Sequence, residues 1–244
     1  LKLGLLPHRS DERDIALDSV FTPTKALPET FGVRGLDWKM LGNDQWSDCY
    51  WASAAHEVMA QAHLAGRTPE FTPESVLGSY ATYLGVYRVT PATDRGTEPR
   101  AGAKFRRTHG VADHLNHGHR IGAYAFETES DYQKLLSALY TFGALTFCFE
   151  LPQSAEETFE DGVWDYVKGS PIAGGHAVAG VARAESGRIV IVSWGQEVEV
   201  TEAFIEKYLQ VAMAYVSSSV LDGTGHTPEG LDKTALLEAV KALD

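Results

Sequence analysis

The sequence predicts an α+β protein with its helices placed ahead of its sheet. Three observations carry this. Capped segments with helical spacing recur through the first 143 residues. The apolar pattern then turns strand-like at residues 144–151 (ALTFCFEL). Two further apolar segments, 176–184 and 188–193, flank the turn Glu185-Ser186-Gly187, which is a hairpin signal.

Taken in order, residues 1–40 read as an extended arm punctuated by Pro7, Pro23 and Pro28. The first helix starts at Asp48, an expected cap, and stops at Gly66; Trp51, Ala54, Ala55, Val58 and Met59 recur at its buried spacing. A second helix opens at Thr72-Pro73-Glu74 and carries Val76, Leu77 and Tyr80. Residues 88–104 read as a loop, with a short third helix within 101–117. Ser130-Asp131 opens a fourth, which carries Leu135, Leu136 and Leu139 and ends at Gly143. After the hairpin come a short helix at 201–210, a strand at 211–220 and a terminal helix at 227–243. No repeat or linker divides the chain. The expectation is one two-lobed domain: arm 1–40, mainly helical lobe 41–143, mainly β lobe 144–220, and a final helix in 221–244.

Composition narrows the function classes. A formal net charge of −12 repels phosphate backbones and anionic lipid, so neither nucleic acid nor a membrane surface is an expected partner. No segment has the length and apolarity of a membrane span. The opening LKLGLLPHRSDERD has no apolar signal core, and a first residue other than Met leaves open a removed leader or pro-segment. Two cysteines, Cys49 and Cys148, are too few for a disulfide scaffold or a cysteine-rich zinc site. His109, His114, His117 and His119 crowd around Asp113, but their spacing matches no closed metal site; no metal or cofactor is expected. The acidic run from Glu150 to Asp165 reads as a solvated loop, and Lys104, Arg106 and Arg107 are too few for a nucleic-acid patch.

Two residues stand out chemically. Cys49 sits at the amino end of a buried helix, where unpaired N–H groups and the helix dipole favour a thiolate. His176 opens an apolar strand behind Gly174-Gly175, two glycines that leave room for backbone and substrate to approach.

Together these segments resemble the papain-like cysteine peptidases. Asp48-Cys49-Tyr50-Trp51-Ala52-Ser53 resembles the family's Cys-Trp-Ala helix start, Gly174-Gly175-His176-Ala177-Val178 its histidine strand, and Ser193-Trp194-Gly195 the Ser-Trp-Gly that follows its catalytic Asn. The Cys49–His176 separation of 127 residues is close to the family's spacing of about 130–150. Leu3-Gly4-Leu5 through Pro7, with Asp11-Glu12-Arg13-Asp14, resembles the lead-in of bacterial papain-like proteins. The block 41–49, with Thr93-Asp94-Arg95-Gly96, is similar to uncharacterised proteins of tailed phages and prophages. The resemblance implies a helical lobe, with its catalytic helix, packed on an antiparallel sheet or barrel lobe. It implies Cys49 as nucleophile and His176 as its imidazolium partner, with Gly174, Gly175 and Trp194 lining the substrate cleft. The implied substrate is a peptide or protein; phage virion proteins are the implied alternative partners, and a virion or the host cytoplasm the implied location.

The sequence departs from the family at two points. Asn43 stands at the six-residue spacing where the family places an oxyanion-hole Gln, while Gln45 stands four residues before Cys49; the Asp44-Gln45 pair favours Gln45. Val192 stands where the family has the Asn that orients the histidine. Ser193 beside it points to the opposite strand face unless a bulge turns it, with Gln196 as another candidate orienter. The expected activity is therefore thiol hydrolysis of peptide or related amide bonds. The alternatives are a catalytically impaired structural or interaction protein on the same fold, and acyl transfer of the transglutaminase type.

Overall fold

The structure, a computed structural model, describes residues 1–217 apart from positions 13, 21, 24 and 25. The expected terminal helix, and the end of the expected strand at 218–220, lie outside the described residues.

Helices and strands alternate more than the sequence pattern suggests. After the arm, with its short strand β1 (Phe31–Gly32), come helices α1 (Cys49–Leu64), α2 (Pro73–Leu84) and α3 (Pro99–Thr108). The pair β2 (Val111–Ala112) and β3 (Gly118–His119), strand β4 (Ile121–Glu127) and helix α4 (Tyr132–Phe142) follow. The second half holds β5 (Leu145–Pro152), α5 (Gln153–Glu157), β6 (Val163–Trp164), β7 (Ile172–Arg183), β8 (Ile189–Ser193), β9 (Gln196–Val200), α6 (Glu202–Tyr208) and β10 (Leu209–Ser217).

The local rules account for most boundaries. Thr72 and Ser75 form a reciprocal capping box on α2, with Pro73 at its first position and Gly85 left-handed at its end. Asp131 accepts from the N–H groups of Gln133 and Lys134 to start α4, and Gly143 stops it. Two expectations fail. Asp48 precedes α1 but its side chain makes no cap bond, because its carboxyl is buried against Gly42. Helix α3 starts inside the expected loop, at Pro99, because Glu98 caps it by accepting from Arg100 and Ala101 N–H.

The main sheet runs β4-β10-β5-β7-β8-β9-β6, antiparallel throughout except for β6 on β9, with β1 added on β7. Strand β4 belongs by chain order to the helical half, yet pairs with β10 at the sheet edge. One apolar core lies under α4 and α6; a second lies between α1, α2 and the sheet, and holds Cys49, Ala177, Cys148, Val211 and Met213. The amino end of α1 therefore abuts the strand that carries His176. Behind it, the wholly buried pair Glu57 (α1) and Arg106 (α3) is bidentate at 2.9 and 3.2 Å, with the guanidinium 4.5 Å from the Tyr215 ring centre.

Candidate active site

Cys49 and His176 are both about 1% exposed and belong to facing elements, α1 and β7. Burial pushes the Cys49 thiol up to about 12, aided by the Asp48 carboxyl, against the N–H groups of Ala177, Gly4 and Tyr50 that approach the sulfur. Burial alone lowers His176 to about 3. Both shifts favour the neutral thiol and imidazole over the thiolate–imidazolium pair that the resemblance implies. His176 Nδ1 is buried and has no hydrogen-bond partner among the described residues.

The other nitrogen is held. His176 Nε2 and Ser193 Oγ share a hydrogen bond at 2.9 Å. Val192 points the other way, into the core beneath α1 with Ala179 and Val190. Ser193 ends β8 just before a two-residue turn in which Trp194 (φ 46°) and Gly195 (φ 76°) are both left-handed. A Cβ at Gly195 would stand 2.8 Å from the Lys39 carbonyl carbon, so this turn also needs glycine for space. The turn lays Trp194 on the imidazole, stacked at 4.5 Å and 21°. Gln196 is exposed, pairing with Ser193 across the turn.

The two candidate amides separate. Gln45 is exposed and its Nε2 donates to Asp44 at 3.4 Å. Asn43 is 2% exposed and donates from Nδ2 to the Trp46 and Lys2 carbonyls. Trp194 Nε1 donates to that same Lys2 carbonyl at 3.3 Å.

Lys2 belongs to the arm, and the arm fills the cleft. Leu5 N–H donates to Gly175 O (3.0 Å), Leu6 N–H to Thr97 O (2.9 Å), and Thr97 N–H to Gly4 O (2.9 Å), so Leu5 and Thr97 bridge in parallel. Leu5 is buried in the same core as Cys49, Ala177 and Cys148. Glycines make the passage possible: a Cβ would stand 2.1 Å from Gly4 O at Gly96 and 2.2 Å from Leu5 O at Gly175. Gly174 faces the Leu3 side chain. Asp94 braces the opposite wall, accepting from Ser47 N–H and Tyr80 O–H.

The sequence marked the arm and the block 93–96 as motifs without connecting them. The signal was in the glycines, because Gly4, Gly96 and Gly175 meet only when the chain is folded. Asp113 gathers His117 and His119 at 3.4 and 3.2 Å, but no group of three ligands placed for a metal exists among the described residues. No helix among the described residues is long and apolar enough to cross a membrane.

No protein-family model matches the sequence, and no curated protein does. Solved structures do match. Xylellain, a cysteine protease from Xylella fastidiosa, is similar with a TM-score of 0.68 at 18% identity, over 88% of this chain and 95% of that one. The bromelain protease from Ananas comosus is similar at 0.53 and 10% identity, over 78% and 99%. Procathepsin L 3 from Tenebrio molitor larval midgut is similar at 0.54 and 14%, over 84% and 76%. The chain has the papain-like α+β fold.

Proposed function

We propose that this protein is a cysteine peptidase whose amino-terminal arm keeps it latent. The observation that carries this reading is His176, held through Nε2 by Ser193 under the Trp194 ring, with Nδ1 left unpartnered on a strand facing Cys49. That is the arrangement a thiol nucleophile's base requires: one nitrogen oriented, the other available.

With the arm withdrawn, water reaches the cleft and the desolvation that keeps both groups neutral is relieved. The Cys49 proton passes to His176 Nδ1. The sulfur then forms a C–S bond at the substrate carbonyl carbon. As the C–N bond breaks, His176 returns the proton to the leaving nitrogen, and water hydrolyses the thioester. Asn43 Nδ2 and the Cys49 N–H at the start of α1 are the donors assigned to the oxyanion; Asn43 takes this role in place of Gln45 because it is buried and bonded to the arm's Lys2 carbonyl, a bond freed when the arm withdraws, whereas Gln45 is exposed. Gly174, Gly175 and Trp194 line the path now taken by the arm.

The test is cleavage of unfolded protein after the arm is removed by limited proteolysis, in the parent and in Cys49→Ala. Hydrolysis abolished by Cys49→Ala supports the reading. No turnover, with Cys49 inert to iodoacetamide, overturns it. Incorporation of an added amine in place of hydrolysis would identify the acyl-transfer version of the same chemistry.

One observation favours the second reading, a closed scaffold. Gly96 and Gly175 fit the arm backbone closely, and the arm's Gly4 fits Ser47, as permanent closure would require. On that reading the resemblance to phage proteins makes a virion protein the candidate partner.

A further inference from the structure

A trough on the helical half, which shares no residue with the arm or the cleft, runs between α2, the end of α3 and the β2–β3 hairpin. Its volume of about 680 Å³ is within the range of small-ligand sites. Small residues make its floor. A Cβ on Gly78 would meet nothing within 4 Å, so the α2 face stays open, whereas at Gly110 and Gly118 a Cβ would strike the backbone of His119 and His109 at 2.6 and 2.4 Å. The floor hydroxyls are already satisfied: Ser79 donates to the Ser75 carbonyl and accepts from Ala112 N–H, and Thr82 donates to Gly78 O. An aromatic wall rises at one end, where Phe105 stacks on His109 at 4.0 Å and 12°, and the wholly exposed Tyr87 also lines the trough.

The two charged residues of the lining, Glu74 and Arg120, have no hydrogen-bond or ion-pair partner among the described residues. They stand at opposite ends. His114 N–H donates to Glu70 O and so ties the hairpin tip to the approach to α2, which puts Glu74 at the tip end. Arg120 follows β3, whose His119 backbone packs on Gly110 at the close of α3, so it stands at the end of the aromatic wall. The α2 wall from Glu74 to Thr82 is about 12 Å long, the reach of an extended peptide of three or four residues.

We propose that this trough binds short peptides with free termini. The terminal ammonium lies on the Glu74 carboxylate. The terminal carboxylate lies on Arg120, whose planar fork of N–H donors suits it. An apolar side chain near the carboxyl end packs on Phe105 and His109. A single amino acid is too short to reach both charges, and an internal stretch of a folded protein offers neither terminus. Such a peptide is the kind of fragment that hydrolysis of a protein leaves, but the inference does not rest on the reading of Cys49.

The test is a titration of the full chain carrying Cys49→Ala, so that no probe is consumed, read by nitrogen–proton correlation spectra at the amides of Gly78, Gly110 and Gly118. The probe is the tripeptide Ala-Leu-Phe, set against its N-acetylated and C-amidated forms. The free tripeptide should bind saturably with a Kd below about 10 mM, and each blocked form about threefold more weakly, as exposed ion pairs allow. Glu74→Gln should erase the difference made by acetylation and keep the one made by amidation; Arg120→Gln should do the reverse. Equal affinity for the three peptides, no saturable shift at these glycines, or variants that leave both differences in place would each overturn the proposal. Both substitutions are at exposed side chains, and the comparison of the three peptides on the unsubstituted trough decides without them.

Discussion

Gly4 crosses Ser47 so closely that a Cβ on the glycine would lie 2.2 Å from the Ser47 carbonyl oxygen. The obstruction is backbone, which cannot rotate away as a side chain would. Gly4→Ala should therefore lift the arm from the cleft, breaking the Thr97–Gly4 and Leu5–Gly175 hydrogen bonds with it. Cys49 alkylation by iodoacetamide should quicken by at least about tenfold, the factor given by about 1.4 kcal/mol of lost docking energy. Leu6→Ala, which alters a side chain 44% exposed, should leave the rate unchanged. A Gly4→Ala protein as protected as the parent would show that the arm is not what shields the thiol.

Ser193 is the sole hydrogen-bond partner of the imidazole among the described residues. Ser193→Ala leaves a buried ring with both nitrogens unpaired, which costs about 1–3 kcal/mol of stability. On the arm-free protein it should lower kcat by about 10- to 100-fold with KM little changed, because the loss is in orienting the base and not in binding substrate. The discriminating measurement is the pH profile of Cys49 alkylation. A positioning role predicts that the low-pH reactivity weakens in Ser193→Ala, whereas a purely structural role lowers the melting temperature and leaves that profile in place.

Ser193 also shows where sequence reading works and where it stops. Strand alternation correctly put Val192 and Ser193 on opposite faces, and Val192 does enter the core beneath α1. What the alternation could not supply was which face meets His176, because that depends on β8 pairing with β7 through a register shift between Gly180 and Ala182. Helices α1, α2 and α4 were legible because caps and apolar spacing are local. Strand β4 was not, since its partner β10 lies some ninety residues on and pairing is non-local. Asn43 and Gln45 are chemically alike, and only the turn that buries one and exposes the other separates them.

Glu57 and Arg106 tie the nucleophile's helix to α3 through an ion pair that no water reaches. Burial opposes the Arg106 charge, but Glu57 outweighs it and keeps the guanidinium protonated. Arg106→Met would strand the Glu57 carboxylate among apolar groups, at a cost of about 3–5 kcal/mol. The double variant Glu57→Leu with Arg106→Met removes both charges and should recover most of that loss in urea denaturation. If the double variant is no more stable than Arg106→Met, the loss comes from packing and not from an orphaned charge.

Stability against pH follows from three buried groups of opposing sign. His56 donates from Nε2 to the Trp38 and Lys39 carbonyls, yet burial outweighs them and lowers it to about 4; His176 lies at about 3. Both are neutral when folded and bind protons when unfolded, so the stability they allow is full above an unfolded histidine's pKa of about 6.5 and falls as pH drops below it. At about pH 5 each should cost about 2 kcal/mol relative to pH 8. Asp48 runs the other way. Burial raises its carboxyl well above the ordinary value, so the folded state holds a proton that the unfolded state releases, and stability falls as pH rises from about 4 towards the raised value. Asp48→Asn keeps the shape and removes that penalty. The urea midpoint should therefore be higher for Asp48→Asn than for the parent at neutral pH, and the two should converge near about pH 4. In both proteins the acid-side decline should remain, because the histidines set it. An Asp48→Asn protein, free of the opposing carboxyl, whose stability is flat between about pH 5 and 7 would mean that His56 and His176 are not held neutral by the fold.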